Sequence, residues 1–407
     1  MARIVQKYGG SSVANLNLIR EVARKAVAAR NQGNEVTVVL SAMKGETDRL
    51  LKLAKELTPS PPLRELDSLI STGEQVSVSL FAIACAAMGE KVKSFLGFQA
   101  GILTDDHHQK ARILKLDPAR VKTELAKGRI AVVAGFQGIN RQGDVSTLGR
   151  GGSDTTAVAL AVALNADHCE IYTDVDGIYT TDPNVCSKAR KIDRISYEEM
   201  LELSSLGAKV MEIRSVELGM NYGMPIHVRH AHSPGDGTVI TKEDPNMEKT
   251  PVRGVTHQIN EARVTLTKVR DEPGVASRIL SIISKSDIIV DMIIQNRSRG
   301  EDGFTDLSFT VPLSDYERTM ELMRAAREEL GAEGALGDDD IAKVSIVGVG
   351  MRNHAGVAAT MFQALAAEGI NIDMITTSEI KISCVIQKKY AELAVRALHD
   401  AFELDKA

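Results

Sequence analysis

Short runs of β-branched and other apolar residues, each followed by a stretch of helical periodicity, recur through the first 245 residues. Residues 4–7 lead into 15–31 and 36–40 into 46–57; 91–96 is a third run, 130–134 leads across a loop into 154–164, and 168–172 and 225–228 complete the series. A strand apolar at every position must be covered on both faces, and strands alternating with helices are joined by crossovers. The pattern therefore predicts an α/β domain with a mostly parallel sheet sandwiched by helices. Pro59, Pro61 and Pro62 break one helical stretch before a long helix over 63–88.

Near residue 245 the texture changes. Residues 242–251 are polar, bounded by proline and without periodicity, as in a linker. Beyond them lies an internal repeat of about 80 residues. Strand, helix and strand are expected over 263–269, 273–284 and 288–295, and again over 343–349, 355–368 and 370–375. Asp271-Glu272-Pro273-Gly274-Val275 stands at the first strand-to-helix corner and Asn353-His354-Ala355-Gly356-Val357 at the second. Ile289-Val290-Asp291-Met292-Ile293 answers Asn371-Ile372-Asp373-Met374-Ile375. We expect a large domain over 1–245, a linker over 246–262, and small domains over 263–340 and 341–407. Asp338-Asp339-Asp340 reads as a solvated turn.

Composition excludes several classes of partner. Among 407 residues, 43% hydrophobic and 25% charged are globular values, and a net charge of -5 offers no attraction to nucleic acid or an anionic membrane. No apolar run approaches the roughly 20 residues of a membrane helix. The chain opens directly on a strand, without the pattern of a signal segment. Cys85, Cys169, Cys186 and Cys384 are widely spaced and read as reduced thiols. The expectation is a cytoplasmic enzyme.

Two glycine-rich corners carry the chemistry. Lys7-Tyr8-Gly9-Gly10-Ser11-Ser12 ends the first strand and precedes the first helix, so that backbone N–H groups and the Lys7 cation can meet an anion. Thr147-Leu148-Gly149-Arg150-Gly151-Gly152-Ser153-Asp154 opens another helix, where Ser153 or Asp154 can cap and Arg150 can pair with a carboxylate in bidentate fashion. Each alone is an ordinary turn; two at the carboxyl ends of strands in one sheet favour an anion site. Thr173-Asp174-Val175-Asp176-Gly177 begins like a calcium loop but has no acidic residue at the twelfth position. His227, His230 and His232 lack acidic or cysteine partners in the sequence nearby, so no metal site is expected.

These segments, with Ser71-Thr72-Gly73-Glu74-Gln75 and Thr173 through Pro183, stand in the order and spacing of the bacterial aspartate kinases, which the whole chain resembles. The resemblance implies an amino-acid kinase fold followed by two βαββαβ ACT domains. It also implies transfer of the γ-phosphoryl of ATP, with Mg²⁺, to the β-carboxylate of L-aspartate, the first step towards lysine, threonine and methionine. Lys7, Tyr8, Gly9 and Gly10 would hold the β- and γ-phosphates; Thr173, Asp174, Tyr179, Asp182, Lys209 and Val210 would line the adenosine end. Ser41, Thr47, Glu74, Arg150 and Ser153 would bind aspartate, with Glu74 at its ammonium and Arg150 at its α-carboxylate. Asp154 would orient Lys7. Asn184 stands where the family often has arginine, and His230-Ala231-His232 replaces a more usual serine pair.

The same resemblance implies a sensing site for lysine or threonine in the repeat. The first copy would contribute Asp271, Gly274, Val275, Ala276, Ile289, Val290, Asp291 and Gln295. The second would contribute Val357, Ala358, Asn371, Ile372, Ser378 and Glu379. A homo-oligomer through the ACT domains is expected, or a hetero-oligomer with a shorter chain started at Met247. The rival readings are a kinase of the same superfamily with another acceptor, and a binding subunit without catalysis. Glu74 and Arg150 argue against the first, and the intact set of Lys7, Glu74, Arg150 and Asp154 against the second.

Overall fold

A computed structural model describes residues 2–207, 210–243, 251–295 and 303–406. They form two compact units, one of residues 1–179 and 191–245, the other of 180–190 and 246–407. The expected first domain over 1–245 is thus interrupted, because residues 180–190 pack with the second unit. There Thr180 Oγ1 lies 2.9 Å from His399 Nε2, and the Thr180 carbonyl accepts from Val255 N–H at 2.8 Å.

The first unit is built on an eight-stranded sheet in the order Arg194–Ser196, Thr238–Thr241, Ile226–His230, His168–Thr173, Arg3–Tyr8, Glu35–Leu40, Ile130–Ala134, Val92–Phe95. Only Ile226–His230 and Thr238–Thr241 pair antiparallel; every other neighbouring pair is parallel. Ile130–Ala134 is buried at all five positions, as a strand covered on both faces must be. The period of two then decides what each face receives. Tyr8, Val36, Val38, Leu40, Ile130 and Val132 enter one core with Ile19 and Val22 of helix Leu16–Asn31 and Val78, Phe81 and Cys85 of helix Thr72–Ala87. Lys7, one residue from Tyr8, turns to the opposite face and meets helix Gly152–Leu164.

The helix expected over 63–88 is broken at Ser71 into Leu63–Ile70 and Thr72–Ala87. Ser71 Oγ donates to the Ser68 carbonyl at 2.9 Å. The stretch Leu63–Ala87 is long and apolar enough to cross a membrane, yet Val78, Phe81 and Cys85 are spent on the core. A four-stranded sheet, ordered Ile113–Leu116, Ile102–Thr104, Gln137–Ile139, Val145–Thr147, ends beside the second glycine corner.

The second unit holds one six-stranded antiparallel sheet, ordered Ile293–Gln295, Phe304–Pro312, Gly254–Arg270, Gly334–Val347, Lys381–Gln387, Met374–Thr377. The expected linker over 246–262 is strand from Gly254 onward, since Val255 is buried in the apolar core of the second repeat. Asp338-Asp339-Asp340 is no turn but part of strand Gly334–Val347, with Asp338 paired to Arg263 at 3.0 Å. The strand expected over 288–295 shrinks to Ile293–Gln295, and that over 370–375 moves to Met374–Thr377. The matching corners do match: Gly274 and Gly356 have φ of +96° and +101° and start helices Val275–Ser284 and Val357–Ala367.

Phe81 is fully buried between helix and sheet. Phe81→Ala is expected to cost about 3–5 kcal/mol, measurable by pulse proteolysis in urea; a loss below about 1 kcal/mol would contradict this packing.

Candidate functional site

Lys7, Gly9, Gly10, Ser41, Thr47, Glu74, Arg150, Ser153 and Asp154 line one cavity of about 360 Å³ in the first unit. Its floor is the meeting of the two corners. Lys7 Nζ lies 2.6 Å from Asp154 Oδ1, with the side chains only 10% and 12% exposed. Gly10 passes so near that a Cβ on it would lie 2.8 Å from the Ala42 carbonyl oxygen, so glycine is required there. The Gly10 carbonyl in turn accepts from Lys44 N–H at 3.2 Å.

Ala42 also reaches the other side of the cavity. Its N–H donates to Glu74 Oε1 at 2.9 Å. Glu74 is 3% exposed, and its second oxygen, Oε2, is buried without a hydrogen-bond partner. Burial pushes this carboxyl up to about 7, although the Ala42 N–H pulls the other way. An orphaned buried oxygen facing a polar cavity is a place prepared for a donor, preferably a cation. Arg150, exposed at the mouth, supplies the opposite charge.

Some expected residues stand elsewhere or act differently. Tyr8 does not line the cavity; strand alternation turns its ring into the core, stacked on Tyr172 with centroids 4.5 Å apart. Neither Ser153 nor Asp154 caps the helix. Gly151 holds the cap position, and Ser153 and Asp154 lie in the first turn, where an acidic residue suits the helix N-terminus. Thr173 ends its strand with Oγ1 donating to Asp174 at 3.1 Å, and Tyr179 Oη donates to Asp176 at 2.8 Å. Asp182 belongs to the second unit, where it accepts from Asn184 N–H at 2.8 Å. Lys209 lies outside the described residues; Val210 is half-buried just before helix Ile213–Tyr222.

Met43, Lys44, Asp48 and Phe136 line the cavity and were not singled out by sequence. The signal for Lys44 was a cation directly after Ser41-Ala42-Met43. For Phe136 it was a residue beyond Gly135, just after the fully buried strand; Phe136 adopts φ +68°, rare for an aromatic residue. A larger depression of about 830 Å³, lined by Arg112, Lys115, Arg214 and Tyr222 among others, shares only Gly149 and Arg150 with that cavity, and of these only Arg150 was a predicted site residue. Size does not select the site here; the gathered charges do. His230 Nδ1 accepts from the N–H groups of His232 and Ser233, and His232 pairs with Glu21, an acidic partner distant in sequence.

In the second unit reciprocal ion pairs link the two repeats. Asp291 pairs with buried Lys343, which also lies 3.3 Å from Glu261. Asp373, the counterpart of Asp291, lies 3.6 Å from Arg263, the counterpart of Lys343. Gly274, Val275 and Ala276 form the first corner and Val357 and Ala358 begin the second helix. Ile289 is 74% exposed and Val290 half-buried; Gln295 ends its strand, and Asp271 N–H donates to the Gly303 carbonyl at 2.8 Å. Asn371, Ile372, Ser378 and Glu379 flank strand Met374–Thr377, Glu379 pairing with Arg352 at 3.2 Å.

The amino acid kinase family matches residues 2–230, and ACT domains match 263–328 and 344–402. An aspartate kinase of Stutzerimonas stutzeri is 53% identical over 406 residues, covering 100% of this chain and 98% of that protein. An aspartokinase of Mycobacterium tuberculosis is 48% identical, with 99% and 97% covered. The structure of E. coli aspartokinase III with aspartate and ADP, called its R-state, superposes with a TM-score of 0.80 at 25% identity over 98% of this chain and 99% of that one. The same enzyme with lysine and aspartate, called its T-state, gives 0.77 at 25% identity, with 98% and 99% covered.

Proposed function

The chain belongs to the aspartate kinases, ATP-dependent enzymes of the amino acid kinase family with C-terminal ACT domains, and from that premise we propose how its own residues carry out the transfer. The reading is transfer of the γ-phosphoryl of ATP to the β-carboxylate of L-aspartate, giving 4-phospho-L-aspartate for lysine, threonine and methionine synthesis. One observation carries it: a cavity with an ion-paired lysine at its floor, an orphaned carboxylate oxygen on one wall and an arginine at its mouth.

The acceptor needs no base, because the aspartate side chain, with a pKa of about 3.9, is already ionised at neutral pH. Catalysis then rests on aim and charge. Glu74 Oε2 receives the ammonium group, Arg150 the α-carboxylate, and Ser41, Thr47 and Ser153 fill the polar wall between. Gly9 and Gly10 admit the phosphates, and Lys7, held by Asp154, neutralises charge developing on the transferred group. Thr173, Asp174, Tyr179 and Val210, all in the first unit, remain the proposed adenosine side. Mg²⁺ would shield the phosphates. Among the described residues no three acidic, histidine or cysteine side chains cluster. Mg²⁺ characteristically keeps waters and phosphate oxygens as ligands, and Asp154 is the carboxylate at hand in the cavity. Lys7→Ala is expected to lower kcat by about two orders of magnitude or more; steady-state rates within about threefold of wild type would remove Lys7 from this role.

Acidity tests the ammonium site. Glu74 has a raised pKa, so it is neutral below about 7 and charged above it. Only the charged form attracts an ammonium group, so kcat/KM for aspartate should fall about tenfold per pH unit below that point. Glu74→Gln should lower the value throughout and flatten the profile. A wild-type profile flat from about pH 6 to 8 would show that this ionisation does not govern binding.

Regulation follows from the second unit. Lysine is bound with aspartate in the T-state E. coli structure, and we extend lysine or threonine sensing to this chain. The start of helix Val275–Ser284 would receive the effector carboxylate and Asp271 its ammonium. An effector inhibits only by binding the less active state more tightly. Asp271→Ala should raise the half-inhibitory concentration about tenfold or more, read in inhibition curves with lysine and threonine alone and together; unchanged curves would place the effector elsewhere.

A further inference from the structure

Asp67, in helix Leu63–Ile70, is fully buried, and no cation of lysine or arginine reaches it among the described residues. Five donors from two separate segments converge on it instead. His108 Nδ1 lies 2.7 Å from Oδ2, and Gln109 gives its backbone N–H at 3.2 Å and its side-chain amide. Thr147 gives its N–H at 3.1 Å and its hydroxyl at 2.5 Å. A carboxylate taken out of water is tolerated when its lone pairs are filled in this way, and it then fixes the groups that fill them.

The fixed segments hold the acceptor arginine. Thr147 precedes Leu148-Gly149-Arg150, and its carbonyl accepts from Ala111 N–H at 3.0 Å. Gly149, at φ +82°, lies so close to Gln109 that a Cβ on it would meet the Gln109 carbonyl oxygen at 2.8 Å. Gln109 itself sits at φ +67°, a conformation few side-chain-bearing residues adopt, and both of its donor groups end on Asp67. On its other side, Asp67 lies one turn before Ser71, whose carbonyl accepts from Gln137 Nε2 at 2.8 Å; Glu74 follows in the next turn. One buried carboxylate therefore joins the helical stretch that carries Glu74 to the loop that carries Arg150.

We propose that Asp67 is a positioning residue for the acceptor site, fixing the separation between Glu74 and Arg150 and so the length of amino acid that both can grip at once. The inference rests on the reading of those two residues as the ammonium and α-carboxylate contacts. Asp67→Asn keeps the shape but turns an amide N–H₂ towards a cluster of donors. The KM for aspartate should rise about tenfold or more while the KM for ATP stays within about twofold. In combination with Arg150→Ala the double variant should be little worse than Arg150→Ala alone, because Asp67 acts through that arginine.

Thr147→Val removes a single donor, and should raise the aspartate KM by about threefold without loss of fold, so the test survives if Asp67→Asn does not fold. Parallel rises in both KM values, additivity with Arg150→Ala, or an unchanged aspartate KM in Thr147→Val would each overturn the positioning role. If Arg150→Ala alone leaves the aspartate KM unchanged, the acceptor reading itself fails and takes this inference with it. If Arg150→Ala raises it and Asp67→Asn does not, only the role of Asp67 fails.

Discussion

The contact between Lys7 and Asp154 organises the first unit. At 2.6 Å, with both side chains nearly withdrawn from water, neither charge could hold its place alone. They meet because a strand reverses its face at every residue. Tyr8 goes to the core and Lys7 to the opposite side, where the first turn of helix Gly152–Leu164 presents Asp154. The rest of the cavity is anchored to this junction by backbone. Gly10 presses on the Ala42 carbonyl, and the Ala42 N–H holds Glu74. The first glycine corner and the helix that carries Glu74 are thus fastened through a single alanine.

Three buried carboxylates in that unit show how surroundings divide labour. Burial alone would raise Glu170, but the hydrogen bond from Gln6 and the nearby His168 and Arg229 charges outweigh it and hold the group at about 2. It is a structural anion. Asp67 has its oxygens filled by uncharged backbone and side-chain donors and the His108 ring. Glu74 alone keeps one oxygen empty and is pushed up to about 7. Of these three, the incomplete carboxylate is the one lining the cavity, as expected of a group awaiting a ligand rather than serving the fold.

The sequence made the catalytic unit legible because burial there leaves a strong trace. Residues 130–134 are apolar without interruption and form the strand Ile130–Ala134, and 46–57 form the helix Glu46–Leu57. The corner residues were legible because phosphate and carboxylate chemistry needs glycine, lysine and arginine at strand ends. Asp67 was not, since a lone aspartate within an amphipathic helix looks like surface until its donors arrive from 41 and 80 residues away. Asp338-Asp339-Asp340 misled for the converse reason: local polarity suggested a turn, while pairing with Arg263 across the sheet made it strand. The placement of residues 180–190 was equally hidden, because the contacts of Thr180 and Lys188 lie more than 200 residues ahead, at His399 and Asp400.

Strand Gly254–Arg270 has two owners. Its later half, from Arg263, opens the first repeat, pairing with Phe304–Pro312 and with the start of Gly334–Val347. Its earlier half, Gly254 to Gln258, pairs with Lys343 to Val347 and supplies the fourth strand that the second repeat, ending on helix Ala391–Ala401, lacks. The repeats are therefore braided rather than strung in series. Cutting the chain between them would strip a strand from one copy and leave an open hydrogen-bonding edge beside an exposed apolar core, a surface that invites aggregation. Duplication in this chain has produced a single object that must fold as a whole, and whatever strains one half of its shared strand is transmitted covalently to the other.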